Sequence, residues 1–186
     1  MNLVHKWFCR SRRWQTALEN GLPWVIDGID LGDPLLEVGP GPGLATGILR
    51  RDHPRMISVE IDGNLAIESK RLVGQGVRVL RGDGTRLPFC EGAFSGAVCF
   101  TMLHHVPSER LQDQLLREVH RVLRPGGVFA GSDSRWSRLF GLLHMFDTMV
   151  VVDPDGFGER LESAGFGDVH VDKIEGAFRF RGTRVP

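Results

Sequence analysis

Glu37-Val38-Gly39-Pro40-Gly41-Pro42-Gly43 decides the fold of this chain. It follows the apolar run Pro34-Leu35-Leu36 and precedes Leu44-Ala45-Thr46-Gly47-Ile48-Leu49, which reads as a helix. A strand, a glycine-rich turn and a helix in that order make a nucleotide-type site. Glycine admits positive φ and lets a ligand approach without meeting a Cβ. The helix N-terminus offers free N–H groups. Glu60 closes a second apolar run about 20 residues further on, the separation at which a carboxylate reaches ribose hydroxyls across a βαβ unit. The spacing excludes two relatives of this design. A dinucleotide fingerprint needs G-x-G-x-x-G, but the third glycine here falls one residue early, at Gly43, and Leu44 stands in its place. No Lys-Ser or Lys-Thr follows the turn, so it is not a P-loop.

The rest of the chain alternates short apolar runs with helical patterns. Leu35–Val38, Met56–Glu60, Val77–Leu80, Ala97–Phe100 and Val128–Ala130 read as parallel strands covered on both faces. From Ser108 to Arg124, Leu111, Leu115, Val119, Val122 and Leu123 share one helical face. Ser108 can cap that helix and Pro125-Gly126-Gly127 stops it. Pro154 to Ala164 is a second helix, with Phe157 and Leu161 inward. Val169 with Val171, and Phe178 with Phe180, alternate as two closing strands around Gly176. Alternating β and α units predict a three-layer α/β sandwich.

Bulk properties narrow the partners. The 186 residues carry 23 basic and 23 acidic side chains, so nothing global points to nucleic acid. No apolar run approaches the ~18 residues of a membrane span, and Met1 to Arg13 has no apolar core of a secretory signal. The expected compartment is the cytoplasm. Cys9, Cys90 and Cys99 are odd in number and far apart, fitting neither a disulfide framework nor a zinc site; no metal is expected. Cys99 reads as a small buried hydrophobe.

The pattern E-x-G-x-G-x-G resembles the first motif of the class I S-adenosylmethionine-dependent methyltransferases. Four more segments resemble the family in the right order. They are Ile57–Asp62 with its ribose-binding acid, Val79–Phe89 with Gly82-Asp83-Gly84-Thr85-Arg86-Leu87-Pro88-Phe89, Phe94–Val106 with the loop after the fourth strand, and Arg121–Phe129 with Arg124-Pro125-Gly126-Gly127. The likeness is strongest to the small-molecule branch that includes the ubiquinone and menaquinone methyltransferases. It implies a Rossmann-like, seven-stranded, mostly parallel sheet with the last strand antiparallel. It also implies one methyltransferase domain over residues 1–186, with an N-terminal cap segment at 1–30 and a variable lid insertion at 134–153.

The resemblance assigns residues to S-adenosyl-L-methionine. Gly39 and Gly41 would pass close under the methionine part, and Glu37 would hold its ammonium group. Glu60 would accept from the ribose diol, with Asp62 as a competitor for that role. Asp83 would accept from the adenine amino group while the Gly84 backbone meets the ring edge. Pro40, Gly43, Ile61, Thr85, Thr101 and Leu103 complete the expected cofactor contacts. The sulfonium methyl is already electrophilic, so a base is needed only where the nucleophile starts protonated. His104 and His105 are the candidate bases, since unperturbed imidazole titrates near neutrality; His144 is a weaker candidate.

Departures from the family pattern also inform. Ser95 stands where relatives usually carry Asp, which puts local strand packing in question. Thr101-Met102-Leu103-His104-His105 is not the Asn-Pro-Pro-Tyr type of motif, which disfavours nucleic-acid N-methylation. The chain has no tyrosine, so no phenol can serve as base. Trp7, Phe8 and Trp14, interleaved with Lys6, Arg10, Arg12 and Arg13, and the stretch Arg135–Phe146 with Trp136 and Phe140, could close an aromatic-lined acceptor pocket. The expectation is methyl transfer to a small, partly apolar molecule. The alternatives are a lipid or quinone methyltransferase at a membrane surface, or a cofactor-binding regulatory protein without catalysis. The sequence carries no signal for an oligomeric state.

Overall fold

In the computed structural model the described residues are 11–137, 140–141 and 149–185. Lys6, Trp7, Phe8, Cys9, Arg10 and His144, named above as candidates, lie outside them, as do Arg138, Leu139 and Leu142 to Phe146. The elements in chain order are α1 (Arg12–Ile26), β1 (Leu35–Val38), α2 (Leu44–Leu49), β2 (Ile57–Glu60), α3 (Gly63–Val73), β3 (Arg78–Arg81), β4 (Phe94–Phe100), α4 (Glu109–Val122), β5 (Leu123–Ser134), α5 (Pro154–Ser163), β6 (Phe166–Ile174) and β7 (Ala177–Arg184).

The seven strands form one sheet in the order β3-β2-β1-β4-β5-β7-β6. The pairs from β3 to β5 are parallel. β7 runs antiparallel to both β5 and β6, so the last strand is the reversed one. Side chains alternate across a strand, and adjacent residues sort into two cores. Leu36, Ala97, Cys99 and Phe129 face a cluster with Leu115, Leu116, Val119, Phe157, Phe178 and Phe180. Leu35, Val98, Phe100 and Ala130 face the other, with Leu22, Val25, Leu31, Leu49 and Met56. A sheet with apolar cores on both faces is the middle of three layers.

The helix expected at 108–124 ends earlier. Ser108 caps it by accepting from the Leu111 N–H at 3.2 Å, but its last helical residue is Val122, and Leu123 already has extended backbone (φ −74°, ψ 144°). Arg124 precedes Pro125, and a residue before proline is pushed out of the α region. β5 therefore starts at Leu123, which pairs with Phe94, while Val128 pairs with Gly96; the register shifts between them. Gly127 lies so close to the Arg124 and Ser95 carbonyls that a Cβ there would sit 2.8 and 2.9 Å from them. Ser95 itself is buried in β4, its N–H donating to the Pro34 carbonyl at 2.9 Å, and the register shift between Phe94 and Gly96 falls at this residue. Cys99 is fully buried, which pushes its thiol up. Among the described residues no helix is long and apolar enough to cross a membrane, and no cluster of His, Cys, Asp and Glu is built for a metal ion.

Candidate active site

Because β1 to β5 are parallel, their carboxyl ends share one edge of the sheet, the place where open α/β sheets bind ligands. The chain leaves β1 through the glycine turn. The Gly39 N–H donates to the Val59 carbonyl at 2.9 Å, and the Gly43 N–H to the Pro40 carbonyl at 3.0 Å. Gly41 has φ +56° and nothing within 4 Å of where a Cβ would lie. That open side belongs to a cavity of about 490 Å³.

One end of the cavity is acidic. Glu60 is 5% exposed at the end of β2. It accepts from the Gly41 N–H through Oε2 at 2.9 Å and from the Asp62 N–H through Oε1 at 3.0 Å. Burial raises its pKa, partly offset by those two bonds. The competing acid, Asp62, caps α3 by accepting from the Asn64 and Leu65 N–H groups. Glu37 is 1% exposed. Its Oε2 accepts from the hydroxyls of Thr46 at 2.6 Å and Ser58 at 2.7 Å, while Oε1 is buried without a partner among the described residues. Desolvation pushes Glu37 up to about 7 against the lowering effect of the two hydroxyls. Asp83 is exposed and forms an Asx turn, Oδ1 accepting from the N–H and hydroxyl of Thr85, each at 2.8 Å.

The rest of the lining includes apolar and aromatic side chains, Trp14, Leu18, Met102 and Phe140, together with His104 and His105. Thr101, where β4 ends, has φ +48°, a left-handed conformation that a β-branched residue adopts only under constraint. Its N–H donates to the Ser132 carbonyl at 2.7 Å. His104 is 2% exposed and Asp133, near the end of β5, is 0% exposed. The His104 Nδ1 lies 2.5 Å from Asp133 Oδ1, and the His104 backbone N–H donates to Oδ2 at 3.1 Å. A carboxylate only accepts, so Nδ1 carries the hydrogen and the ring's lone pair lies on Nε2. The His105 ring is 4.2 Å from that of His104, and Phe140 packs edge-on at 5.0 Å.

The cavity thus brings together Glu37, Gly39, Pro40, Gly41, Glu60, Ile61, Asp83, Gly84, Thr85, Thr101, His104 and His105. It does not include Gly43 or Leu103. Gly43 (φ +93°) faces α3, where a Cβ would sit 2.5 Å from Ser69 Oγ; it allows α2 and α3 to approach. Leu103 is wholly buried in the core under the loop. Asp133 and Met102 escaped the sequence reading. An acid three residues past the apolar run Val128–Ala130 was the available signal for Asp133. Met102 had none: its contact with Gly39, where a Cβ would meet its side chain at 3.0 Å, exists only in the fold.

The site can be tested for fit to S-adenosylmethionine. A buried carboxylate oxygen lacking a partner suits an ammonium donor, and the open side of Gly41 leaves room for close backbone approach. The residues fit the group.

Comparison with known proteins agrees with this architecture. Residues 36–131 match the methyltransferase domain family. An uncharacterized methyltransferase of Mycobacterium sp. (strain KMS) is 32% identical over 129 residues, 69% of this chain and 46% of that protein. A ubiquinone/menaquinone biosynthesis C-methyltransferase of Desulfotalea psychrophila is 31% identical over 103 residues, 52% of this chain and 41% of that protein. The chain spans less than half the length of both relatives. Among solved structures, the PH0226 protein of Pyrococcus horikoshii superposes with a TM-score of 0.80 at 16% identity, covering 95% of this chain and 94% of that one; this likeness speaks to the fold. The family match runs from the glycine turn through His104 to Gly131, more than half the chain, and this chain belongs to the methyltransferase domain family.

Proposed function

We propose that this chain binds S-adenosyl-L-methionine and transfers its methyl group to a small, partly apolar acceptor. The observation that carries the reading is a cavity lined both by the glycine turn, Glu37 and Glu60 and by Trp14, Phe140 and His104. Glu60 would hold the ribose diol, since an ionised carboxylate accepts strong hydrogen bonds and each of its oxygens keeps a further acceptor site. Glu37 would take the ammonium group through Oε1. Asp83 would accept from the adenine amino group through Oδ2, with Gly84 and Thr85 at the ring edge. Bound there, the cofactor supplies an electrophilic sulfonium methyl group.

The protein's part is to orient the acceptor, exclude water and take a proton. Trp14, Leu18 and Phe140 give the acceptor's apolar body a dry surface, and proximity then supplies much of the rate. For an acceptor with an O–H or N–H nucleophile, Nε2 of His104 would take the proton the nucleophile gives up on methylation, the cofactor leaving as its neutral thioether as the methyl–sulfur bond breaks. Asp133 then stabilises the imidazolium until the proton passes to solvent. His105, half-buried against the His104 ring, borders the same space.

The test has two stages. Calorimetry with S-adenosylhomocysteine should give saturable one-site binding that NAD does not reproduce. A panel of small hydroxylated and amino acceptors with methyl-labelled cofactor should then give label transfer that Asp133→Asn diminishes. Absence of binding to either form of the cofactor would overturn the reading.

A further inference from the structure

Gln112 is a polar side chain sealed inside α4, fully buried, and it lies outside the cavity. A primary amide has two donor hydrogens and an oxygen acceptor, and all are used. Nε2 donates to the Leu103 carbonyl at 3.0 Å and to the Val150 carbonyl at 2.8 Å. Oε1 accepts from Arg160 Nη2 at 2.9 Å. Arg160 is held in turn by Asp113, whose Oδ1 accepts from its Nε at 2.7 Å.

The two carbonyls belong to chain segments that meet at one residue. The Val150 N–H donates to the His104 carbonyl at 2.8 Å. On the far side of His104, Asp133 takes its backbone N–H and its ring, and Oδ1 of the same carboxylate accepts from the Ser134 N–H at 2.6 Å. Residues 134 and 150, on either side of Phe140, are therefore both tied to His104, one through Asp133 and one directly. Gln112 closes the second tie by bridging Leu103 to Val150. Neither Leu nor Glu could replace it: the first offers no donor, and the second, ionised, only accepts.

We propose that Gln112 is a positioning residue, holding the Leu103-His104 backbone and Val150 together so that the imidazole of His104 is presented at the acceptor end of the cavity. This rests on the methyl-transfer reading above. The role is separable from cofactor binding, because the hydrogen bonds of the Gln112 side chain go to Leu103, Val150 and Arg160 and not to Glu37, Glu60 or the glycine turn.

The experiment uses the full chain with Gln112→Met, which keeps length and bulk but removes both donors, and Arg160→Ala, which keeps both Gln112 donors and removes the Oε1 partner along with the Asp113 pair and the Phe157 ring contact. Three readouts are taken: S-adenosylhomocysteine affinity by calorimetry, hydrogen exchange at the Val150 amide, and the ring ¹⁵N signals and pH titration of His104 by NMR. Gln112→Met should speed Val150 exchange by at least about tenfold and move the His104 ring signals away from a single Nδ1–H tautomer, with cofactor-product affinity within about twofold. Arg160→Ala should shift both in the same direction by less, and it decides the matter if Gln112→Met does not fold. Unchanged His104 signals and Val150 exchange in a folded variant would overturn the proposal. Failure of the wild-type chain to bind the cofactor product would instead overturn the methyl-transfer reading while leaving the coupling of Gln112 to His104 measurable.

Discussion

One carboxylate, Asp133, accepts both the ring Nδ1–H and the backbone N–H of His104, at 2.5 and 3.1 Å. The residues are 29 positions apart, His104 in the helical turn after β4 and Asp133 near the end of the neighbouring parallel strand β5, and both are buried. This arrangement sets tautomer and ring orientation together. Asp133→Asn keeps the shape but weakens the acceptor and frees the ring to turn. Methyl transfer should fall by about 10²-fold, the scale of a lost acid–base contribution, with S-adenosylhomocysteine affinity nearly unchanged. Single-turnover kinetics beside calorimetry check both halves; equal losses in the two would place Asp133 in cofactor binding instead.

Glu60 accepts from Gly41 across 19 residues of sequence, so it holds the turn in addition to the ribose contact proposed for it. Glu60→Ala should weaken cofactor-product binding by about 1.5–3 kcal/mol, the scale of hydrogen bonds to a charged group. Calorimetry giving wild-type affinity would reassign the ribose contact.

Two glycines of the same turn should respond differently. Both have positive φ, which valine resists. At Gly41 a Cβ meets nothing within 4 Å, whereas at Gly43 it would lie 2.5 Å from Ser69 Oγ and 3.0 Å from Ser69 Cα. Gly41→Val should abolish cofactor binding with a modest change in melting temperature. Gly43→Val should lower stability by a further ~1–3 kcal/mol, the cost of overpacking, seen as the larger drop in a thermal melt.

Glu37 gives a pH signature. Its pKa is raised from 4.5 to about 7 by burial, so the folded state holds a proton that the unfolded chain releases. The stability from this group is fully present below pH 4.5 and is lost as pH rises through about 7. The change is about 3 kcal/mol if the whole shift is expressed. Glu37→Gln should remove that dependence, which denaturation midpoints between pH 4.5 and 8 will show. An ammonium ligand favours the ionised form, so cofactor binding should tighten between pH 6 and 7 and release a proton, measurable as a buffer-dependent binding enthalpy.

Trp14 tests the acceptor end. Helix α1 is anchored through Leu22 and Val25 in the core, while Trp14 lines the cavity. Trp14→Ala should raise the acceptor KM several-fold with little change in cofactor affinity. A collapse of melting temperature would show that the ring is structural support.

The order of elements, the sheet's layers and the acidic end of the site were legible in the residues. Local rules govern each: apolar runs between turn signals make strands, glycine spacing shapes the turn, and an acid closing a strand lies at its carboxyl end. Helix α4 was legible in its face and its cap but not in its last turn, because Leu123 had a strand partner, Phe94, in a segment 29 residues earlier. The acceptor end depended on the fold. His104 and His105 are chemically identical neighbours, and only the crossing of β4 beside β5 brings Asp133 to one of them. Gly43 and Leu103 sit in motifs from which cofactor contacts are expected; only the fold shows that a Cβ at Gly43 would meet Ser69 and that the Leu103 side chain is buried in the core. Sequence spacing determines which side chains leave an element together. Which of them meet across elements is decided by strand order and packing, and those arise only when distant segments compete for the same buried volume.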